Sequence, residues 1–150
     1  MELHKEYQSP AEALSLIQSG HRIFIQGGAC TPTFLISHLA KRKDELKNVE
    51  LVFISVHGDL VIDQPEYAES FHMNTMFVSS SVRKAVEEGR ADFIPVFLSE
   101  IPQLFRRGVL PLDGAIVQVS PPDSKGFCSM GVSVDIARSA VNTARYVIAQ

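Results

Sequence analysis

The chain has 150 residues, of which 45% are apolar, and a formal net charge of −3. This length predicts a single domain with one core, and the near-neutral charge lacks the basic field that nucleic acids and anionic membranes attract. No apolar run approaches the ~20 residues that cross a bilayer, so we expect neither a nucleic-acid nor a membrane partner. Cys30 and Cys128 are the only cysteines, and two lone thiols favour a cytoplasmic location.

The first third of the chain alternates helix and strand signals. In "SPAEALSLIQSG", Ser9 as N-cap, Pro10 and Glu12 indicate a helix start, and Gly20 indicates its end. "RIFIQ" predicts a short buried strand. Thr31–Pro32 then begins a second helix, and "VELVFISV" predicts a strand covered on both faces because it is apolar along nearly its whole length.

A loop over residues 57–70, with one helical turn, precedes the remaining elements. "NTMFVS" predicts a strand, and "SSSVRKAVEEG" predicts a helix that ends at Gly89. "ADFIPVF" predicts a strand in which Pro95 lies at a strand end or on an edge, because proline cannot donate to a ladder. "LSEIPQLFRRG" predicts a helix capped by Ser99, and "DGAIVQVS" predicts a strand. The last three segments are a turn-rich, hairpin-like "PPDSKGFCSMGVS", a helix over "VDIARSAVNTA" and a strand over "RYVIAQ".

Alternating helices and strands with short links predict the fold class. It is an α/β domain spanning residues 1–150, with an open, mostly parallel sheet and helices on both faces. The chain ends inside an apolar strand, whereas most domains end in a polar segment, so we expect further chain to follow.

The turn after the first strand is the first candidate for a functional site. Gly27 and Gly28 lie between a strand and a helix start, and amide groups there attract an anion or a developing oxyanion. The spacing excludes a dinucleotide fingerprint, and no G-K-[ST] follows as a Walker loop requires. From the residues alone, a turn that serves only tight packing remains an equal alternative.

Other motifs favour structural roles. "SVRK", residues 81–84, matches the S-x-x-K of serine acyl-enzymes, but the companion elements are missing and helix-capping serines explain it. Cys30 lacks an identified base, so a buried structural thiol is favoured over a nucleophile. Loop hydrogen bonding explains His57 and the nearby Asp59. No histidine spacing matches a metal site, so we predict no metal.

Several stretches resemble the N-terminal half of the acetyl-CoA hydrolase/transferase family, which includes 4-hydroxybutyrate and butyrate:acetyl-CoA transferases. "GGACTPTFL" is similar to the glycine–proline turn of that family. "VRKAVEEGRADFIPVFLSEIP", "LPLDGAIVQVSPPD" and "GFCSMGVSVD" are the most distinctive parts, and the resemblance covers nearly all 150 residues.

The resemblance implies one half of a two-domain enzyme that exchanges CoA between an acyl-CoA and a short-chain carboxylic acid. In this family a glutamate of the C-terminal half attacks the thioester, so no catalytic residue is expected in this chain. The residues expected near the substrate are Gly27, Gly28 and Ala29, which would help form an oxyanion pocket, together with Thr31 and Asn74. CoA is implied as a substrate rather than a tightly bound cofactor, and the expected partners are a C-terminal CoA-transferase domain and further copies of the protein.

Three alternatives remain at this point. One is an acetyl-CoA hydrolase, which differs in whether water or an acid resolves the glutamyl-CoA intermediate. The second is a non-catalytic binding or assembly module of the same fold. The third is a nucleotide-binding α/β domain.

Overall fold

The computed structural model describes residues 7–58 and 60–150, so Asp59 lies outside the described residues. Six strands form one sheet in the order β4-β3-β2-β1-β5-β6, and every neighbouring pair is parallel. The strands are β1 Arg22–Ile25, β2 Val49–Phe53, β3 Phe71–Thr75, β4 Ala91–Phe93, β5 Gly114–Val117 and β6 Tyr146–Ala149. The predicted open, mostly parallel sheet is thereby confirmed.

The helices cover both faces of the sheet, as predicted. They are α1 Pro10–Leu14, α2 Thr33–Ala40, α3 Arg83–Glu87, α4 Ile101–Arg106 and α5 Ala137–Thr143. Side chains alternate along a strand, and β1 accordingly sends Ile23 and Ile25 into one core and Phe24 into another. The first core is filled from α1, α2 and α3, and the second from α4 and α5.

The strand order contains one reversal of direction. The chain builds outward from β1 through β2 and β3 to the edge strand β4, then returns so that β5 lies on the other side of β1. Right-handed crossovers that run in opposite directions place their helices on opposite faces, which explains the two helical layers. The carboxyl ends of β1 and β5 therefore meet at a topological switch point, where ligands bind in open α/β sheets.

Local sequence signals were largely correct, and the differences concern the ends and caps of elements. Strand β4 ends at Phe93 rather than Phe97, and α3 has Val82 rather than a serine at its N-cap. Strand β3 begins at Phe71 rather than Asn74, because the buried side chains of Phe71 and Met73 and the pairing with β2 extend it toward the amino end. Helix α4 has Glu100 rather than Ser99 at its N-cap, and no side chain caps it. Helix α1 is only five residues long, although the predicted Ser9–Glu12 capping box is present.

The loop between β2 and β3 contains two short 3₁₀ turns, Val61–Asp63 and Pro65–Tyr67, where one helical turn was predicted. Among residues 7–58 and 60–150, no helix combines the length and apolar character that crossing a bilayer would need.

Candidate functional site

Two segments meet at the switch point between β1 and β5. One is the glycine turn, residues 27–32, which follows β1 and leads into α2. The other is the β5 loop, residues 118–133, which follows β5. The β5 loop folds back on itself as predicted, since the Ser120 amide donates to the Ser129 carbonyl at 2.9 Å and the Asp123 amide donates to the Phe127 carbonyl at 2.9 Å.

Gly27 and Gly28 let the turn approach the loop after β2 closely. A Cβ atom on Gly27 would lie 2.3 Å from the Ser55 carbonyl oxygen, a contact that no side chain could tolerate without backbone movement. Gly28 has a φ of +59° and donates its amide to the same Ser55 oxygen at 2.9 Å. Tight packing therefore accounts for Gly27 and for the amide of Gly28.

The Thr31 side chain forms hydrogen bonds within this turn and to the loop after β2. Its hydroxyl donates to the Gly28 carbonyl at 2.8 Å and accepts from the His57 amide at 3.0 Å. The residue is only 6% exposed, so the hydroxyl donates to and accepts from protein groups rather than solvent. Thr31 consequently fixes the shape of the turn and ties it to the loop after β2.

Ala29 is the exposed residue of the turn. Its amide donates to the hydroxyl oxygen of Ser133 at 3.1 Å. The amides of Gly28, Cys30 and Thr31 instead donate to backbone carbonyls, of Ser55, Gly27 and Gly28 respectively. A side-chain hydroxyl can rotate away about one bond, whereas a backbone carbonyl is held by the chain. Among these four amides, that of Ala29 is therefore the one that an incoming oxygen atom could bind most readily.

The structure does not bring Asn74 to the glycine turn. Asn74 lies within β3 in register with Val52, and its Nδ2 donates to Glu50 Oε1 at 2.9 Å. Glu50 in turn pairs with Arg22, the first residue of β1, at 2.6 Å. The glycine turn follows the last residue of β1, so the contacts of Asn74 lie toward the opposite end of that strand.

Cys30, Glu87 and Glu88 each have a structural or solvent-exposed setting. Cys30 is buried, and its Sγ would lie 2.7 Å from a Cβ on Gly131, so it packs beneath the β5 loop. Glu87 and Glu88 are exposed, and Glu88 is paired with Arg90. Within the part of the chain that the structure describes, no group of three or more His, Cys, Asp or Glu side chains could hold a metal ion.

Comparison with known proteins identifies the family. The sequence model of the acetyl-CoA hydrolase/transferase N-terminal domain matches residues 1–150. The chain belongs to the acetyl-CoA hydrolase/transferase family. The resemblance inferred from the glycine–proline turn and the three distinctive stretches is therefore confirmed.

Characterised relatives of this family member are CoA transferases. The chain is 42% identical over 141 residues to a succinyl-CoA:acetate/propanoyl-CoA:succinate CoA transferase of Fasciola hepatica, covering 93% of this chain and 29% of that protein. It is 37% identical over 150 residues to a 4-hydroxybutyrate coenzyme A transferase of Clostridium kluyveri, covering 99% of this chain and 35% of that protein. The chain thus spans about a third of the length of these relatives.

A solved structure supports the same fold. RipA from Yersinia pestis superposes with a TM-score of 0.83 at 24% identity, covering 95% of this chain and 35% of that one. At this identity the likeness shows the fold alone.

Sequence reasoning missed two residues at the switch point, Gln26 and Ser133. The pattern "RIFIQ" indicates only that Gln26 ends an apolar strand, although a polar residue at that position is itself a signal. Ser133 lies in the distinctive stretch "GFCSMGVSVD", but nothing in its local pattern indicates a contact with Ala29, which is 104 residues away.

Proposed function

We propose that the complete protein transfers CoA between an acyl-CoA and a short-chain carboxylate, and that this domain supplies the Ala29 amide to stabilise the oxyanion. Membership of the family and the transferase names of the relatives support the reaction class. They favour a transferase over the hydrolase, the nucleotide-binding domain and the non-catalytic module.

The observation that carries the proposal is the Ala29–Ser133 hydrogen bond. An exposed amide at the switch point donates to a hydroxyl oxygen at 3.1 Å, which is the kind of contact that a thioester oxyanion would make. When the Ser133 hydroxyl rotates away, a fixed N–H remains and needs no reorganisation to meet the developing charge. The Gly28 amide stays bound to Ser55 and holds the turn in place.

The first half of the reaction proceeds through two acyl transfers. A glutamate carboxylate, which we expect outside residues 1–150, attacks the thioester carbonyl, and the carbonyl π electrons move to the oxygen that Ala29 would hold. Collapse breaks the C–S bond, releases CoA as a thiolate and leaves an acyl–glutamyl anhydride. The thiolate then attacks the glutamyl carbonyl, which releases the first carboxylate and forms glutamyl-CoA. The acceptor carboxylate reverses these steps.

A backbone substitution tests the proposal directly. Replacing Ala29 by lactic acid in the complete enzyme exchanges its N–H for an ester oxygen and leaves the side chain intact. Removal of one oxyanion donor lowers kcat about 10²–10³-fold, so we expect that loss with a small change in KM.

The matched control is lactic acid at Ala11, which lies in the first turn of α1, where an amide has no acceptor within the helix. This variant should keep the parent rate. An ester at Ala29 that folds normally and also turns over at the parent rate would show that the turn holds no oxyanion. Release of free CoA in the absence of an acceptor acid would instead indicate a hydrolase.

A further inference from the structure

Gln26 is a polar residue in an apolar setting. It immediately precedes Gly27, follows three buried apolar residues of β1, and is 0% exposed. A buried amide costs free energy unless its hydrogen-bonding atoms are satisfied. A valine or isoleucine would fill this end of a parallel strand without that requirement. The hydrogen bonds of its side chain therefore decide whether a glutamine is stable at this position.

The side chain of Gln26 binds both ends of the β5 loop. Its Oε1 accepts from the Gln118 amide at 2.8 Å, at the start of the loop. Its Nε2 donates to the carbonyl oxygens of Met130 and Ser133, each at 3.0 Å, at the end of the loop. Both N–H groups and the oxygen are used, so the amide is satisfied by this loop alone.

These contacts connect Gln26 to the proposed oxyanion donor. Gln26 holds the backbone carbonyl of Ser133, and the hydroxyl of the same residue accepts from Ala29. The main chain of Gln26 is itself fixed, because its amide donates to the Ile116 carbonyl of β5 at 3.0 Å. One fixed residue directly after β1 thus sets the position of the loop, and the loop supplies the partner of the Ala29 amide.

We propose that Gln26 is a positioning residue for CoA transfer. It pins the β5 loop against the glycine turn, where the Ser133 hydroxyl keeps the Ala29 amide oriented until the substrate oxygen replaces that hydroxyl as its acceptor. This role rests on the proposed function of Ala29. Gln26 does not touch the substrate, since it is fully buried and its amide is occupied.

The sharpest variant is Gln26→Glu, which keeps the shape and the acceptor for Gln118 but replaces the donor to Met130 and Ser133 with an oxygen. Two carbonyl oxygens would then face a carboxylate, and the end of the loop should be released. Thr75→Val is the matched control. Thr75 is also 0% exposed, and its one hydroxyl proton is shared between the carbonyls of Ile54 and Phe77, but it is the last residue of β3 and these hydrogen bonds do not involve the β5 loop.

Amide hydrogen exchange on this chain supplies the first readout. We expect Gln26→Glu to speed exchange of the Ala29 amide and of residues 128–133 at least tenfold, while exchange in β1 and β2 changes no more than in Thr75→Val. Equal exchange of the Ala29 amide in the two variants would overturn the role of Gln26.

The pH dependence of kcat in the complete enzyme supplies the second readout. The ionised carboxylate gives the loop no donor, and protonation as the pH falls, which burial assists, can restore one. We therefore expect Gln26→Glu to lose at least tenfold in kcat at neutral pH and to recover activity relative to the parent as the pH falls. A purely structural loss would lower kcat by the same factor at every pH. A ratio of variant kcat to parent kcat that stays constant with pH would therefore contradict the proposal.

The Ala29 ester and Gln26→Glu together distinguish the positioning role of Gln26 from the oxyanion role of Ala29. If the ester at Ala29 lowers kcat but Gln26→Glu behaves like Thr75→Val, the oxyanion role stands and the positioning role is wrong. If the ester at Ala29 has no effect, the proposed function fails, and the alignment of Ala29 by Gln26 fails with it.

Discussion

The Ser133 hydroxyl oxygen lies 2.6 Å from the position that a Cβ atom would take on Gly28. The same oxygen accepts the hydrogen bond from Ala29, so the residue that faces the exposed amide also limits the size of its neighbour. One atom of the β5 loop, the Ser133 hydroxyl oxygen, therefore contacts two neighbouring residues of the glycine turn. This fit gives Gly28 a second constraint besides its φ of +59°.

We expect Gly28→Ala to destabilise the domain through both constraints, and Ser133→Ala to relieve one of them. Alanine in the left-handed region costs roughly 1–2 kcal/mol, and overlap with the Ser133 oxygen adds to it. In the Ser133→Ala background the cost of Gly28→Ala should fall by at least about 0.5 kcal/mol, a coupling typical of residues in contact. Urea unfolding of the four proteins of this cycle measures it, and strictly additive effects would contradict the fit.

Gly27→Ala should lower the free energy of unfolding more than a substitution that only strains the backbone. The new Cβ would lie 2.3 Å from the Ser55 carbonyl oxygen, and a backbone atom cannot move aside as a side chain can. Gly89→Ala is the control, because Gly89 has a φ of +72° but nothing within 4 Å of its Cβ position. Overpacking typically costs about 1–3 kcal/mol or more, so Gly27→Ala should lower the free energy of unfolding more than the control does. Equal losses in the two variants would contradict this.

The phenol of Tyr146 should lose its proton at a higher pH than an ordinary tyrosine. Burial, and secondarily the negative charge of Asp113, raise the pKa of its phenol to about 12, against an opposing effect of Arg42. Tyrosinate absorbance of the folded chain should therefore include a phase near pH 12 that is absent in Tyr146→Phe and retained in Tyr67→Phe.

The same shift makes stability depend on pH in a defined direction. Below pH 10 both folded and unfolded chains keep this proton, and between about 10 and 12 only the folded chain keeps it. The free energy of unfolding should therefore fall across that window, and it should fall less steeply in Tyr146→Phe. Parallel pH profiles of the two proteins would show that the phenol keeps its ordinary pKa in the fold.

The chain of 150 residues should not transfer CoA by itself. The glutamate nucleophile that the family resemblance implies is expected outside these residues, and three acids of the chain, Glu87, Glu88 and the α4 N-cap Glu100, are exposed. We expect no turnover of acetyl-CoA with a short-chain acid by the purified chain, and partial recovery when the separately produced C-terminal domain is added. Turnover by the chain alone that is abolished by Glu100→Gln would instead locate the nucleophile here.

Local patterns were sufficient to predict most elements of this domain. The Ser9–Glu12 capping box, the strand over "RIFIQ" and the edge strand before Pro95 all depend on residues close together in the sequence. The glycine turn was also found in this way, because a strand, two glycines and a helix start are contiguous. Family resemblance then indicated the chemistry, which no short motif in the chain could do.

Tertiary structure decided which residues meet at that turn. Gln26 binds Gln118, Met130 and Ser133, which are 92, 104 and 107 residues away, only because β5 returns to lie beside β1. Asn74, predicted near the turn, instead contacts Glu50, which lies two residues before Val52, the register partner of Asn74 on β2. Periodicity and turn residues encode the path of the chain over a few residues. The order of strands depends on how crossovers bury both faces of the sheet, which is a property of the whole fold.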